Sequence, residues 1–164
     1  MSKSPIPVSE ALRRGSQAYS KGDVEKAEKI FRAIIDAQPQ ELSNTNQKNL
    51  LAEAHNNLGS VLSTFNDLDG SSYNYQKAIE IRPDFAEAYC NLGYLSRLKY
   101  KLLLDQENIK KQKNSEEFVL LNHKSKTDLI KGSLKVELLK SIRYFKKALR
   151  LKPNLVAAYN NLGE

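Results

Sequence analysis

The sequence repeats itself at a fixed offset. The phrase EAHNNLG at residues 53–59 returns as EAYCNLG at 87–93 and as AAYNNLG at 157–163. A second phrase, FRAIIDAQP at 31–39, returns as YQKAIEIRP at 75–83 and FKKALRLKP at 145–153, each time with an aromatic residue eight positions before a proline. Landmarks that keep register limit the chain to one supersecondary unit used again and again, because every copy must satisfy the same packing with its neighbours. Gly15 to Pro39 and Gly59 to Pro83 both span 24 residues, whereas Gly93 to Pro153 spans 60, an excess of 36. Pro83 to Gly93 and Pro153 to Gly163 span 10, whereas Pro39 to Gly59 spans 20, an excess of 10. With these two insertions set aside, the period is 34 throughout.

The unit is helical. Apolar residues recur at helical rather than alternating spacing, and only 7 glycines and 5 prolines interrupt them, so strands have little support. The pattern predicts helices near 8–20, 24–37, 49–64, 69–82, 85–104, 126–151 and 155–164. Glycine costs a helix interior about 1 kcal/mol relative to alanine, so Gly59 and Gly93 imply that another helix approaches closely at those points. The small residues Ala27, Ser71 and Ser141 serve the same contact, and Tyr75, Tyr89 and Phe145 fill the space between hairpins. Pro39, Pro83 and Pro153 end their helices for want of an amide hydrogen. Asp84 with Glu87 reads as a capping arrangement for the helix that follows.

The period and its landmarks together resemble the tetratricopeptide repeat. The first-helix set is His55, Leu58, Gly59; Tyr89, Leu92, Gly93; and Tyr159, Leu162, Gly163. The second-helix set is Ala27, Phe31, Pro39; Ser71, Tyr75, Ala78, Pro83; and Ser141, Phe145, Ala148, Pro153. The first repeat departs most, with Ala11 for the aromatic and Ile34 for the second small residue. The resemblance implies an all-α, right-handed superhelix of about three and a half repeats: 8–41, 52–85, 86–155 with an insertion near 99–135, and a partial repeat at 156–164, all one solenoid domain over 1–164. Residues 160–164 stop inside the first helix of a fourth repeat and leave Val156, Tyr159 and Leu162 without a covering helix. The expectation is a fragment of a longer protein, or an open end that self-associates with another copy.

In that family the first helices line a concave, peptide-accepting face. The equivalent positions are Asn57, Asn91 and Asn161, with Asn56, Ser60, Cys90, Tyr94, Arg97 and Asn160 nearby. A carboxamide offers donors and an acceptor to the main chain of an extended peptide whatever its sequence, and such a ladder is similar to the asparagines in the repeats of O-linked N-acetylglucosamine transferase. The competing reading is that these asparagines brace neighbouring helices. The lysines and arginines with which co-chaperones of this fold grip a terminal carboxylate are absent: Glu53, Asn56, Glu87 and Ala157 stand there, so acidic chaperone tails are not the expected ligand.

Residues 1–93 carry 10 Lys and Arg against 12 Asp and Glu, net −2, while residues 94–154 carry 16 against 6, net +10. The basic character belongs to this one segment, which contains the long insertion. Leu95, Leu98, Leu102 and Leu103 continue the helix before it, and Ile130, Leu134, Leu138 and Ile142 lead into the helix after it. An antiparallel hairpin sharing the excess equally would project about 27 Å. A small helix is expected in its middle, started by Ser115 with Glu116 and Glu117 in the first turn. Lys110, Lys111, Lys113, Lys124 and Lys126 make this projection a basic surface. It reads either as a solvated lysine face or as a dock for an acidic protein, RNA or anionic membrane. Against nucleic acid, the segment has no zinc-ligand spacing and no glycine-rich clamp, and only Tyr100 and Phe118 to stack on bases.

Nothing in the sequence supports catalysis, a metal or a cofactor. No nucleophile is paired with a base and no phosphate loop appears. His55 takes the place of a packing aromatic, His123 is isolated, and the single cysteine, Cys90, can form no internal disulfide. No run of about 18 apolar residues could span a bilayer, and the amino terminus lacks the apolar stretch of a secretion signal, so the cytoplasm is the expected compartment. Two functions follow from the resemblance. One is a protein–protein interaction scaffold or adaptor; the other is the amino-terminal substrate-recruiting region of a larger glycosyltransferase, sulfotransferase or methyltransferase.

Overall fold

The turns show how the repeat is built. A computed structural model describes residues 6–37, 44–114 and 123–163, the side chains of 110–114 and 123–130 excepted. The described residues form seven helices and no strand: α1 (Val8–Ser20), α2 (Val24–Asp36), α3 (Thr45–Thr64), α4 (Leu68–Ile81), α5 (Ala86–Asn114), α6 (His123–Leu151) and α7 (Val156–Leu162). Only three residues join α1 to α2, and only three join α3 to α4. In each turn the middle residue is left-handed, Gly22 at φ 81° and Asn66 at φ 60°, a conformation that glycine and asparagine tolerate best. The next residue caps the second helix: Asp23 accepts from the Lys26 amide at 3.4 Å and Asp67 from the Gly70 amide at 2.9 Å.

The chain divides into two compact units, one ending at Asn91 and the other beginning at Leu92. In the first unit, Leu12, Ala27, Phe31, Ile34, Ala54, Leu58, Val61 and Leu62 form a buried cluster joining α1, α2 and α3, and Ala52, Ala78, Phe85 and Ala88 form a second. Gly59 and Gly93, expected at close approaches, lie under aromatic rings, and so does Gly15. A Cβ added to Gly15 would sit 2.6 Å from the Phe31 ring, and one added to Gly59 would sit 2.7 Å from the Tyr75 ring. Ser71, fully buried, donates its hydroxyl to the Gly59 carbonyl at 2.6 Å, so the small residue on α4 joins α3 by a hydrogen bond as well as by its size.

The second unit repeats the lock, since a Cβ on Gly93 would meet the Phe145 ring at 2.7 Å. Phe145, Ala148 and Ser141 are buried there with Leu92, Leu95 and Leu134. Here no tight turn follows. α5 runs on to Asn114, ten residues past the predicted end, and α6 begins at His123, so each is 29 residues long. The expected small helix begun by Ser115 lies outside the described residues. α3 also starts earlier than predicted, at Thr45, because the Asn44 side chain accepts from the Gln47 amide at 2.9 Å. The link before α5 and the link before α7 share one geometry: Phe85 donates its amide to the Arg82 carbonyl, and Leu155 donates to that of Lys152, both at 3.1 Å.

Candidate binding surface

In the first unit, α1, α3 and the start of α5 are tied together by polar side chains. The Asn57 amide donates to the Ser16 hydroxyl at 3.5 Å, and the Asn91 amide donates to the Asn56 carbonyl oxygen at 2.9 Å. Asn56 in turn donates to the Asn57 carbonyl oxygen at 3.5 Å. Ser60 gives its hydroxyl proton to the Asn56 main-chain carbonyl at 3.3 Å and accepts from the Tyr75 hydroxyl at 3.2 Å, while the Tyr19 hydroxyl reaches the Ser60 carbonyl at 3.3 Å. Asn56 is buried, and Asn57, Ser60 and Asn91 are half-buried. Within this strip one carboxamide is enclosed and braces its neighbours, and two have an open side.

Ser16 and Tyr19 were not among the residues singled out from the sequence. Ser16 follows Gly15 as Ser60 follows Gly59, so the register contained the signal for it. Behind the strip, the buried His55 Nδ1 lies 3.0 Å from Asn74 Oδ1. Asn74 donates its amide to the Gly70 carbonyl at 2.8 Å, which leaves its oxygen as acceptor and makes Nδ1 the protonated nitrogen. Burial pushes the imidazole below its ordinary value, the Asn74 bond pulls it back, and Lys77 pushes it down further. The Cys90 thiol is raised by burial and then by the Glu87 carboxylate, which disfavours the thiolate. Among the described residues no group of three or more His, Cys, Asp or Glu could hold a metal ion, and no described helix is long and apolar enough to cross a membrane.

The second unit holds the remaining groove residues. Arg97 on α5 donates to the Asn161 main-chain carbonyl at 3.2 Å, and the Asn161 side chain turns back on its own helix, donating to the Ala157 carbonyl at 2.7 Å. Asn160 is exposed, and Tyr94 is 47% exposed. Lys110, Lys111 and Lys113 belong to the last turns of α5, and Lys124 and Lys126 to the first turn of α6; their side chains lie outside the described residues.

Residues 66–96 match the family model described as a TPR repeat. No curated protein sequence matches the chain. Among solved structures, it is similar to the first TPR of Spaghetti (RPAP3) bound to the HSP90 peptide SRMEEVD, with a TM-score of 0.60 and 13% identity over 95% of this chain and 87% of that one. It is also similar to a thermophilic TPR protein of Thermus thermophilus, with a TM-score of 0.62 and 17% identity over 96% of this chain and 67% of that one. At these identities the likeness is one of fold: helical hairpins of the tetratricopeptide kind.

Proposed function

We propose that this chain is a protein-interaction scaffold that binds an extended segment of another polypeptide on the polar strip of its first unit and carries out no chemistry on it. The observation that carries this reading is the pair Asn57 and Asn91. These carboxamides stand on neighbouring helices, are held by Ser16 and Asn56 respectively, and each keeps an open side. Carboxamides fixed in this way meet main-chain N–H and C=O groups with little further loss of their own side-chain freedom. The Spaghetti domain, solved with a peptide, supports the general mode. It does not support the same ligand, because Glu53 and Glu87 beside the strip repel a peptide as acidic as SRMEEVD.

The two asparagines give different tests. Asn57 makes two long bonds, to Ser16 and from Asn56, both at 3.5 Å, so Asn57→Ala is expected to change stability by less than about 0.5 kcal/mol. Asn91→Ala leaves the buried Asn56 oxygen without its 2.9 Å donor and is expected to cost about 1–3 kcal/mol, which makes it a poor probe of binding. Peptides selected on the full chain from a random display library should lose about tenfold in affinity to Asn57→Ala, roughly one hydrogen bond's share. Equal affinity for wild type and variant refutes the strip as the binding surface.

A further inference from the structure

The His55–Asn74 pair breaks the repeat at both of its members. His55 stands where Tyr89 and Tyr159 stand, and Asn74 stands where α2 has Ile30 and α6 has Tyr144. Two smaller, polar side chains thus replace apolar or aromatic bulk, and a cavity of about 300 Å³ lies beside them. The cavity is internal to the first unit. Its floor is His55, Leu58 and Leu62 on α3, and its walls come from the end of α2 and the start of α4. It lies away from the polar strip, because His55 and Asn57 stand about 200° apart around α3.

Acceptors outnumber free donors on this lining. His55 Nδ1 is engaged by Asn74 at 3.0 Å, which leaves Nε2 as a lone pair. Among the described residues no buried side-chain nitrogen or oxygen lacks a partner. The ring is buried and bonds only Asn74, so Nε2 reaches open space, and the cavity supplies it. Burial, above all, lowers the pKa of the imidazole, and at neutral pH the ring adds no charge of its own. Asp36 and Asp67 contribute two exposed carboxylates, neither of them in an ion pair among the described residues. The cations nearby are committed elsewhere, Arg32 to Glu28 at 2.8 Å and Lys77 to Glu80 at 2.7 Å. An apolar floor below a lone pair and two unpaired carboxylates answers a side chain with an aliphatic stem and a cationic head of several N–H donors.

We propose that this cavity binds an arginine side chain of a partner polypeptide, the guanidinium shared among Asp36, Asp67 and His55 Nε2 and the stem lying on Leu58 and Leu62. A guanidinium presents five donors in one planar fork and sheds water more readily than an ammonium. The volume is at the lower end of ligand pockets, which fits one side chain and no longer segment. Free arginine fits less well, because its α-carboxylate would stand against Asp36 and Asp67, whereas the main chain of a polypeptide is neutral. This site is separate from the asparagine strip and is tested separately from it.

The experiment titrates the full chain with Nα-acetyl-arginine-N-methylamide and follows the imidazole resonances of its two histidines by NMR. The His55 signals are expected to shift saturably and those of His123 to stay in place. The citrulline analogue, of the same shape without the charge, should bind at least about tenfold more weakly. Asp36→Asn combined with Asp67→Asn should weaken the arginine probe by about tenfold or more with an unchanged thermal melt, since both side chains are exposed and asparagine caps a helix as well as aspartate does. Asn57→Ala, in the strip, should leave the titration as it is. Absence of a saturable His55 shift overturns the proposal, as does equal affinity for the citrulline analogue or for free arginine. Binding that survives the two asparagine substitutions, or that falls with Asn57→Ala, overturns it as well.

Discussion

The α3/α4 hairpin of the first unit and the α5/α6 hairpin of the second are fastened by the same lock and joined by different means. Tyr75 covers Gly59 as Phe145 covers Gly93, with the same 2.7 Å that a Cβ would have from the ring. Yet one pair of helices turns back within three residues around Asn66 and Asp67, and in the other pair each helix runs to 29 residues. What pairs the helices is the glycine under the ring, and what lies beyond it is free to vary. Lengthening a connection adds only about 0.6 kcal/mol of closure entropy per doubling, so a long segment can enter one repeat while the packing at Gly93 is kept.

The severest test of that equivalence removes the ring. Phe31 and Phe145 are each 1% exposed, and truncating either to alanine is expected to cost about 3–5 kcal/mol in chemical denaturation, lost transfer energy plus the cavity left behind. A Phe145→Ala variant within about 1 kcal/mol of wild type would break the comparison, because the second lock would then contribute little.

Filling the space under the ring comes next. Gly59→Ala and Gly93→Ala each force an aromatic ring aside at an overpacking cost of about 1–3 kcal/mol, against which about 1 kcal/mol of helix propensity is regained. The two should not be equal. A Cβ at Gly59 also meets the Ser71 main-chain oxygen at 3.2 Å, whereas the nearest atoms to one at Gly93 all belong to the Phe145 ring. Backbone yields less than a side chain, so Gly59→Ala should melt lower than Gly93→Ala. The reverse order would locate the tighter lock in the second unit.

A smaller effect separates the units by pH. His55 takes the place that Tyr89 and Tyr159 hold in their helices, and its pKa in the folded chain is lowered, first by burial. The unfolded chain then binds the proton more readily, so stability is highest above the ordinary histidine value of about 6.5 and falls as pH drops through it toward the folded pKa. Melting curves from pH 7.5 to 5.5 should therefore decline more steeply for wild type than for His55→Phe. Parallel curves would mean that the imidazole is free to charge in place, and that its burial does not hold it neutral.

The repeat was legible because its landmarks are steric. Glycine, aromatic and proline each do one thing in a helical hairpin, so their spacing fixes the helices to within a few residues. The start of α3 and the end of α5 were missed because Asn44 and Asn114 sit in the two insertions, outside the register that exposed the other boundaries. The candidate site was legible at lower resolution. Spacing put Asn56, Asn57 and Asn91 on one set of helices, and which of them is enclosed depends on pairwise contacts that period alone does not contain. The partnership of His55 with Asn74 needs two helices brought together with a known rotation.

The smallest effect concerns the part of the second unit that has no counterpart. Gly132 lies within α6, and among the described residues nothing stands within 4 Å of where its Cβ would be, in contrast to Gly15, Gly59 and Gly93. A glycine in open space keeps the entropic cost of its residue type with no close approach to offset it. Gly132→Ala is therefore expected to stabilise the chain by about 0.5–1 kcal/mol, with a higher midpoint in urea and an unchanged slope. The same substitution thus carries opposite signs at Gly59 and Gly132. If Gly132→Ala destabilised instead, α6 would be closely packed at that turn as well, and the distinction between a locked hairpin base and a variable extension would have to be moved further along the helix.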